Sequence, residues 1–285
     1  MTAAALVRAH GWAETDVSIV AIRTTGDRVQ DRALAEIGGK ALWTKELDRA
    51  LLAGEIDAAV HSMKDVETIR PDAILLAATL PRADVRDRLI GAESIAALPH
   101  AARIGTSSPR RSAQLRKLRP DVEPVLFRGN VDTRLSKLAT GEVDATLLAA
   151  AGLDRLGRSD VGAPIALDVM LPAPAQGAVG IEVLAADAER RAAVAAIDDR
   201  ATHDCVSAER ALLAALSADC HSPVAALATI TDGRLRLRAE LYAEDGQAHV
   251  AGEASGTPGD PEVARQLAAD LLSRAPDAVR RLFGA

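Results

Sequence analysis

Strand-like and helix-like apolar patterns alternate along the first part of the chain. Residues 17–23 form a near-continuous apolar run rich in β-branched side chains, which predicts a strand buried on both faces. Residues 41–53 place leucine on one helical face, and Gly54 follows as a typical helix end. Residues 57–62 and 73–80 are again strand-like.

The alternation continues through the middle of the chain. Residues 102–108 predict a strand running into a helix, where Ser107 or Ser108 can cap and Pro109 suits the first turn. After that helix ends at Pro120, we expect a strand at 122–127, a helix at 130–139 and a strand at 144–150. Such a pattern predicts an α/β fold with mainly parallel sheets and ligands at the carboxyl ends of the strands.

Two stretches of the sequence resemble each other. Residues 53–60 (AGEIDAAV) and 140–147 (TGEVDATL) each place Gly-Glu, a β-branched residue and Asp-Ala between a helix and a strand. This joint is common in α/β proteins and could arise twice independently, but we favour two similar lobes.

The pattern changes after Pro174. Residues 185–198 and 202–216 are helix-like, and residues 227–253 alternate polar and apolar side chains around two Asp-Gly turns. The alternation predicts a meander of antiparallel strands, followed by a helix at 260–274. We therefore expect a small α+β domain at the end of the chain.

Composition narrows the class of protein. A length of 285 residues predicts two or three domains. A net charge of -6 argues against a dedicated nucleic-acid binder, which needs basic surface. No stretch is long and apolar enough to span a bilayer, and the first residues lack the pattern of a signal peptide. With two cysteines and no disulfide framework, we expect a cytoplasmic protein without membrane or nucleic-acid partners.

Cationic side chains gather at the ends of predicted elements in the middle of the chain. They belong to Arg110, Arg111, Arg128, Arg134 and Arg155. If the strands there are parallel neighbours, the guanidiniums converge on one cleft beside the Thr106-Ser107-Ser108 loop. Arginine binds carboxylates with two parallel hydrogen bonds, so the ligand would carry several carboxylates or phosphates. The alternative is that each arginine is a solvated helix end.

Two lysines and one aspartate elsewhere in the sequence could also carry chemistry. Lys64 and Asp65 end the predicted strand at 57–62, where a carboxylate can stabilise a developing cation or transfer a proton. Lys40 follows Gly38-Gly39 and could bind an anion. Each could equally be a solvated surface residue.

The two cysteines differ in their predicted exposure. Cys220 lies in a loop before the meander and should be more reactive than Cys205, which lies inside a helix. Zinc binding by these cysteines together with His203 and His221 does not match a standard ligand spacing, so we expect no metal.

Long strings of this sequence resemble the porphobilinogen deaminase (hydroxymethylbilane synthase) family, in the family's order and over nearly the whole chain. They include TTGDR, LAEIGGKALWTKELDRALLAGEIDAAVHSMKDV, IGTSSPRRSAQL, FRGNVDTRLSKL, LAAAGLDRLG, LPAPAQGAVGIE, AERALL and DCHSPVAA. The resemblance implies two periplasmic-binding-protein-like (type II) lobes plus a C-terminal α+β domain. It places the first lobe at 1–80 with 175–197, the second at 81–174 and the C-terminal domain at 198–285.

The resemblance also implies the reaction and the residues that serve it. Four porphobilinogen molecules would be joined head to tail, with loss of ammonia, on a dipyrromethane cofactor held by a thioether to Cys220, and water would release hydroxymethylbilane. Asp65 would be the catalytic carboxylate, and Gln176 lies near the hinge. The groups implied to bind cofactor and substrate carboxylates are Lys40, Lys64, Thr106, Ser107, Ser108, Arg110, Arg111, Arg128, Arg134 and Arg155. We expect a monomer.

The sequence departs from the family pattern in several places. The family begins with a strand carrying an Arg-x-Ser motif, whereas here the first residues are helix-like; we expect the stated start to lie downstream of the true one rather than the protein to be inactive. Family residues are also replaced by Glu36, Ala41, Trp43 and Glu67. A non-catalytic two-lobed protein that binds a small polyanion is the main alternative, since one fold serves many functions.

Overall fold

A computed structural model describes residues 1–22 and 44–283 of the chain. The helices are α1 (Thr2–His10), α2 (Lys45–Leu52), α3 (Pro109–Leu118), α4 (Val131–Ala139), α5 (Ala150–Arg155), α6 (Ala188–Ala195), α7 (Arg200–Ala215), α8 (Glu262–Arg274) and α9 (Asp277–Arg280). The strands are β1 (Ala59–Ser62), β2 (Ile74–Thr79), β3 (Asp87–Ile90), β4 (Arg103–Gly105), β5 (Glu123–Val125), β6 (Ala145–Ala149), β7 (Ala163–Pro164), β8 (Val179–Leu184), β9 (Val224–Thr231), β10 (Arg234–Tyr242) and β11 (His249–Gly256). Within these residues no helix has the length and apolarity needed to cross a membrane.

The first lobe contains a sheet in which β8 lies between β1 and β2. Both neighbours run antiparallel to β8, so β1 and β2 are parallel to each other. Five of the six β8 residues are buried, because β8 is the central strand and has a partner on each side. Helix α6 packs against β2 and β8.

The second lobe contains a sheet of order β5-β4-β6-β3-β7. Strand β4 pairs parallel with β5 and β6, and these strands are separated along the chain by α3 and α4. Strand β3, which enters this lobe from the first, runs antiparallel to β6 and β7. The predicted α/β class with two lobes is confirmed, with parallel pairs where helices separate the strands and antiparallel pairs at β3 and at β8, the strands that pass between the lobes.

The C-terminal domain is an antiparallel meander of order β11-β10-β9 covered by α7 and α8. Asp232 and Gly233 form the two-residue turn between β9 and β10, and both have positive φ, as a type I′ hairpin requires. Along β10 exposed and buried residues alternate, so one face of the sheet packs into the core. The meander predicted at 227–253 is confirmed.

One buried side chain joins the two crossings between the lobes to the C-terminal domain. The carboxylate of Glu209 on α7 accepts hydrogen bonds from Arg82 at 2.8 and 2.9 Å, from the backbone of Ala175 and from the backbone of Ala228 at 2.7 Å. Arg82 lies between β2 and β3, and Ala175 lies between β7 and β8. Glu209 therefore ties together the three parts of the chain.

The predicted strand at 17–23 is wrong for the residues the structure describes. Residues 18–22 belong to no strand, and Ile19 and Val20 are 84% and 58% exposed. An apolar β-branched run forms a strand only where a neighbouring edge takes up its backbone hydrogen bonds. None of the described strands pairs with this segment.

The repeated joint predicted from the sequence is present in both lobes. Helix α2 leads through Gly54 (φ 69°) to β1, and α4 leads through Gly141 (φ 76°) to β6. Glycine suits both positions because a positive φ is costly for residues with a Cβ. The two lobes thus use the same helix, turn and strand.

Candidate active site

Asp65 lies on a 3-10 turn, Met63–Asp65, that directly follows β1. The turn is anchored by buried Met63, whose backbone N–H donates to the carbonyl of Ala178 at 3.1 Å, and Val66 N–H closes the turn onto the carbonyl of Met63. Asp65 itself is exposed and lines a pocket together with Thr44, Leu47, Val60, His61, Ser62 and Val66. The backbone therefore holds this carboxylate at the wall of a cleft.

Positive charges crowd around Asp65. Burial lowers the pKa of Lys64 below its usual value; Asp65 opposes this shift and Arg111 adds to it. Burial, Arg111 and Arg128 lower the pKa of Arg134 to about 10, and Asp65 again opposes the shift. Because charges affect each other's pKa only at short range, these groups share one site. By this criterion the members of the predicted set that lie near one another are Asp65, Lys64, Arg110, Arg111, Arg128 and Arg134.

Arg110 and Arg111 are buried rather than solvated. Arg110 Nη2 lies 2.8 Å from Asp87 Oδ2, and Arg111 Nη2 lies 2.6 Å from Asp87 Oδ1. Burial raises the pKa of Asp87, but the two guanidiniums outweigh it and hold that pKa well below the usual range. Gln176 Nε2 adds a hydrogen bond of 2.9 Å to the same carboxylate. For these two arginines the alternative of solvated helix ends is excluded.

The 106–108 loop is shaped by its own hydroxyl groups. Thr106 Oγ1 accepts from Ser108 N–H at 3.2 Å, and Ser108 Oγ caps α3 by accepting from Arg111 N–H at 3.4 Å. The predicted cap by Ser108 is confirmed. Ser107 Oγ lies 3.5 Å from Arg134 Nη2, so this loop reaches the start of α4.

The backbone around Arg134 also requires a glycine. Arg134 Nε donates to the carbonyl of Gly129 at 2.9 Å. Gly129 has φ 122°, and a Cβ there would lie 2.6 Å from Thr133 Cγ2. The chain can bring Arg134 back over this carbonyl only because the residue lacks a side chain.

The remaining predicted cations lie in different surroundings. Arg128 is buried at the end of the segment that follows β5. Arg155 is exposed, and its Nε donates to the carbonyl of Ala151 in its own helix at 2.9 Å, so none of its described hydrogen bonds reaches the other site residues. Lys40, like Glu36, Ala41 and Trp43, lies outside the described residues.

The two cysteines differ as their positions predicted. Cys205 is buried in α7, and burial raises the pKa of its thiol to about 11. Cys220 is exposed in the loop after α7, with its Sγ 3.6 Å from His221 Nδ1. Asp219, and secondly Cys220, raise the pKa of His221 to about 10, so a cation stands beside the accessible thiol at neutral pH. His203 instead binds Asp198 at 2.9 Å.

Comparison with known proteins shows to which family the chain belongs. A family profile described as "Porphobilinogen deaminase, dipyromethane cofactor binding domain" matches residues 1–192, and "Porphobilinogen deaminase, C-terminal domain" matches residues 203–275. The chain belongs to the porphobilinogen deaminase family. Porphobilinogen deaminase of Sphingopyxis alaskensis is 60% identical over 99% of this chain and 91% of its own length. That of Paracoccus denitrificans is 50% identical over 95% of this chain and 88% of its own.

Solved structures resemble the chain more distantly. One is a periplasmic binding protein of Salmonella typhimurium described as highly specific for arginine, with 12% identity and a TM-score of 0.38 over 71% of this chain and 81% of that one. Another is a periplasmic amino-acid and opine family-binding protein of Silicibacter pomeroyi with bound lysine, with 16% identity and a TM-score of 0.31 over 54% of this chain and 67% of that one.

A porphobilinogen deaminase binds dipyrromethane, and the residues present fit that group. The cluster around Asp65 contains more positive than negative charge, which suits a ligand with several carboxylates. The buried Nε atoms of Arg110 and Arg111 have no hydrogen-bond partner among the residues that the structure describes. An exposed thiol at Cys220 can form a covalent bond, whereas Cys205 is buried.

A charged network that the sequence did not predict lies beside the Asp65 pocket. Arg70 binds Asp48, Glu67 at 2.9 Å and Glu182 at 2.7 Å, while His61 Nε2 lies 3.1 Å from Glu182. Burial raises the pKa of Glu182, but His61 and Arg70 lower it to about 2.

This network explains Glu67, which replaces the family's proline. Its carboxylate accepts hydrogen bonds from Arg70 and from Thr44 Oγ1. The partners of Arg70 are spread from residue 44 to residue 182, so no local pattern could reveal them.

Proposed function

We propose that this chain joins four porphobilinogen molecules head to tail, with loss of ammonia, and releases hydroxymethylbilane by hydrolysis, using Asp65 as its catalytic carboxylate. The observation that carries the proposal is one exposed carboxylate within electrostatic reach of Lys64 and Arg134. When bound, dipyrromethane supplies the pyrrole carbon to which the first substrate molecule is joined.

The chemistry needs a carboxylate that can face a cation. The ammonium form of porphobilinogen loses ammonia to give an electrophilic azafulvenium cation, whose positive charge is shared by the pyrrole nitrogen. Asp65 can stabilise that charge and can accept or return a proton. Its anchored turn keeps the carboxylate in place between additions, which supports this role because catalysis depends on fixed geometry.

The cations balance the charge of the substrate. Each porphobilinogen brings two carboxylates into the cleft, so negative charge accumulates as units are added. We assign the binding of these carboxylates to the following groups: Lys40, Lys64, Thr106, Ser107, Ser108, Arg110, Arg111, Arg128, Arg134 and Arg155. Arg110 and Arg111 would act while bound to Asp87, which fixes their position. The lowered pKa of Arg134 supports its part, since an anion would relieve the crowding of positive charge.

Cys220 is the proposed covalent anchor. A thioether at this sulfur would keep the cofactor in the cleft through successive additions. The exposure of this thiol supports the assignment, because an accessible sulfur can form such a bond, whereas the sulfur of Cys205 is buried.

We also propose that the protein acts as a cytoplasmic monomer. Its parts would be the first lobe at 1–80 with 175–197, the second lobe at 81–174 and the C-terminal domain at 198–285. The division agrees with the membership of the three sheets.

Intact mass spectrometry tests the proposal. Freshly purified protein should carry an added mass equal to two linked pyrroles, and Cys220→Ser should lose it. Cys205→Ala is the matched control and should keep the adduct, because Cys205 is buried away from the loop.

The same preparations should convert porphobilinogen to hydroxymethylbilane only where the adduct is present. An unmodified mass in folded wild-type protein, together with no turnover of porphobilinogen, would refute the proposed function. An adduct that survives in Cys220→Ser would move the anchor to another residue.

A further inference from the structure

Helix α7 holds the segment that follows Asp65. The guanidinium of Arg210 donates to three successive backbone carbonyls, those of Val66 at 3.3 Å, Glu67 at 2.6 Å and Thr68 at 3.1 Å. A planar guanidinium that binds three carbonyls in a row fixes the path of that backbone. Arg210 thus restrains the chain directly after the proposed catalytic carboxylate.

A second contact joins this segment to the loop of Cys220. Thr68 Oγ1 donates to the carbonyl of Ala218 at 2.7 Å. Ala218 is buried, lies two residues before Cys220, and closes the end of α7 through its own N–H to the carbonyl of Leu213 at 2.8 Å. Thr68 lies three residues after Asp65. One hydroxyl therefore connects the two loops that carry the proposed chemistry.

Apolar packing also fixes the Asp65 turn to α7. Met63, which anchors the Asp65 turn, packs in one cluster with Val66 and with Val206 of α7. Val206, Arg210 and the end of α7 lie along a single helix, at roughly 1.5 Å per residue. The Asp65 turn, the Arg210 contacts and the start of the Cys220 loop are all fixed to this one rigid element.

We propose that Arg210 and Thr68 are positioning residues that hold the Asp65 turn in register with the Cys220 loop. The inference rests on the proposed function, since it takes Cys220 as the anchor and Asp65 as the catalytic group. Neither residue touches the reacting atoms. Their effect would arise because small displacements of a catalytic group slow a reaction strongly.

Substitution of Thr68 separates positioning from folding. Thr68→Val keeps the shape of the side chain and removes the hydroxyl, whereas Thr68→Ser keeps the hydroxyl. We expect Thr68→Val to load its cofactor normally by mass, to lose about tenfold in kcat, and to change KM for porphobilinogen by less than about twofold, because the substrate-binding cations are untouched. Thr68→Ser should recover most of kcat.

Two further variants complete the experiment. Arg210→Lys keeps the charge but replaces the two terminal nitrogens of the planar guanidinium with one ammonium nitrogen, which cannot reproduce these contacts, so kcat should fall at least as far as in Thr68→Val. Thr229→Val changes an exposed threonine on β9 and should behave like wild type. Stalled species under limiting porphobilinogen, resolved by mass, should shift toward the early additions in Thr68→Val and Arg210→Lys.

The outcomes distinguish this inference from the proposed function. If wild-type protein carries the adduct and turns over porphobilinogen while Thr68→Val and Arg210→Lys match it in kcat and in stalled species, the positioning role is wrong and the proposed function stands. A loss of kcat that only follows lost cofactor or lost folded protein would also overturn the inference. Absence of both adduct and turnover in the wild type would instead refute the proposed function.

Discussion

Two neighbouring clusters combine arginine with aspartate, yet they differ in the burial of the aspartate and in how it is paired. In the first, Asp87 is buried between Arg110 and Arg111, and each guanidinium makes a close ion pair with it. In the second, exposed Asp65 faces Lys64 and Arg134, whose pKa values are lowered by burial and by other cations. Each cluster has two cations for one carboxylate, but in the first both cations are held in close ion pairs with a buried carboxylate, whereas in the second the carboxylate is exposed and lines a pocket. Residue type alone does not show which arginines are fixed by a carboxylate of the protein itself; the ion pairs with Asp87 do.

The largest effect should come from removing Asp65, the exposed carboxylate of the second cluster. Asp65→Ala should lower kcat at least about 100-fold, the size of effect that general acid–base catalysis supplies. The thermal midpoint should change little, because Asp65 is exposed. Steady-state kinetics on cofactor-loaded protein would measure this, with exposed Asp72→Ala as the control. Near-normal turnover in Asp65→Ala would remove it from the mechanism.

Substitution of Asp87, the buried carboxylate of the first cluster, should lower the free energy of unfolding. Asp87→Asn leaves two buried guanidiniums without a counter-ion, which costs about 3–5 kcal/mol in the free energy of unfolding. Asp84→Asn breaks a partly exposed pair with Arg86 and should cost less than about 1 kcal/mol. Urea denaturation compares the two. Equal losses would show that burial does not distinguish these pairs.

Asp87 should also make the stability of the fold depend on pH in the acidic range. The folded pKa of Asp87 is lowered, so its stabilising effect is complete above its unfolded pKa, roughly 4, and is lost as the pH falls below that value. Asp87→Asn should therefore flatten the decline in stability at low pH. An unchanged decline would assign it to other carboxylates.

The smallest effect concerns a third, exposed group of charges at the Cys220 loop. In cofactor-free protein His221 should titrate near pH 10 by NMR, whereas the pKa of His249 is lowered by burial and gives an internal contrast. The raised pKa stabilises the fold below about 6.5, the unfolded value, and this contribution is lost as the pH rises through 10. Alkylation of Cys220 should lower the titration midpoint. A midpoint near 6.5 before alkylation would contradict the contact with Asp219.

Elements with local signals were predictable from the sequence. The start of α3 is an example, because Ser108, Pro109 and the following helix are consecutive, and the Asp-Gly turn between β9 and β10 is another. Exposure of Cys220 and burial of Cys205 also followed from local position. The strand expected from residue 17 failed, because forming a strand depends on a neighbouring edge that the run itself does not encode.

Features that depend on distant pairing could not be predicted. Strand β8 contains Glu182, whose charge obscures a buried strand until Arg70 and His61 are seen beside it. The pairing of Arg110 and Arg111 with Asp87 joins residues on different elements, so the sequence marked these arginines as ligand-binding without revealing their internal partner. Convergence of the arginines was predicted from the ends of the elements that carry them, whereas the place of Asp65 and Lys64 beside them was implied only by the resemblance to the family.

The position of Glu209 bears on how this protein can be dissected. Its carboxylate is completely buried and takes hydrogen bonds from both crossings and from the C-terminal sheet. If the chain were cut into separate lobes, the Glu209 carboxylate would lose several of its hydrogen-bond donors, and those donors would lose their acceptor. The resulting loss of folding free energy is one that small domains rarely tolerate. Fragments are thus poor substitutes for the intact chain, and damage at this junction should spread to regions far from it in sequence.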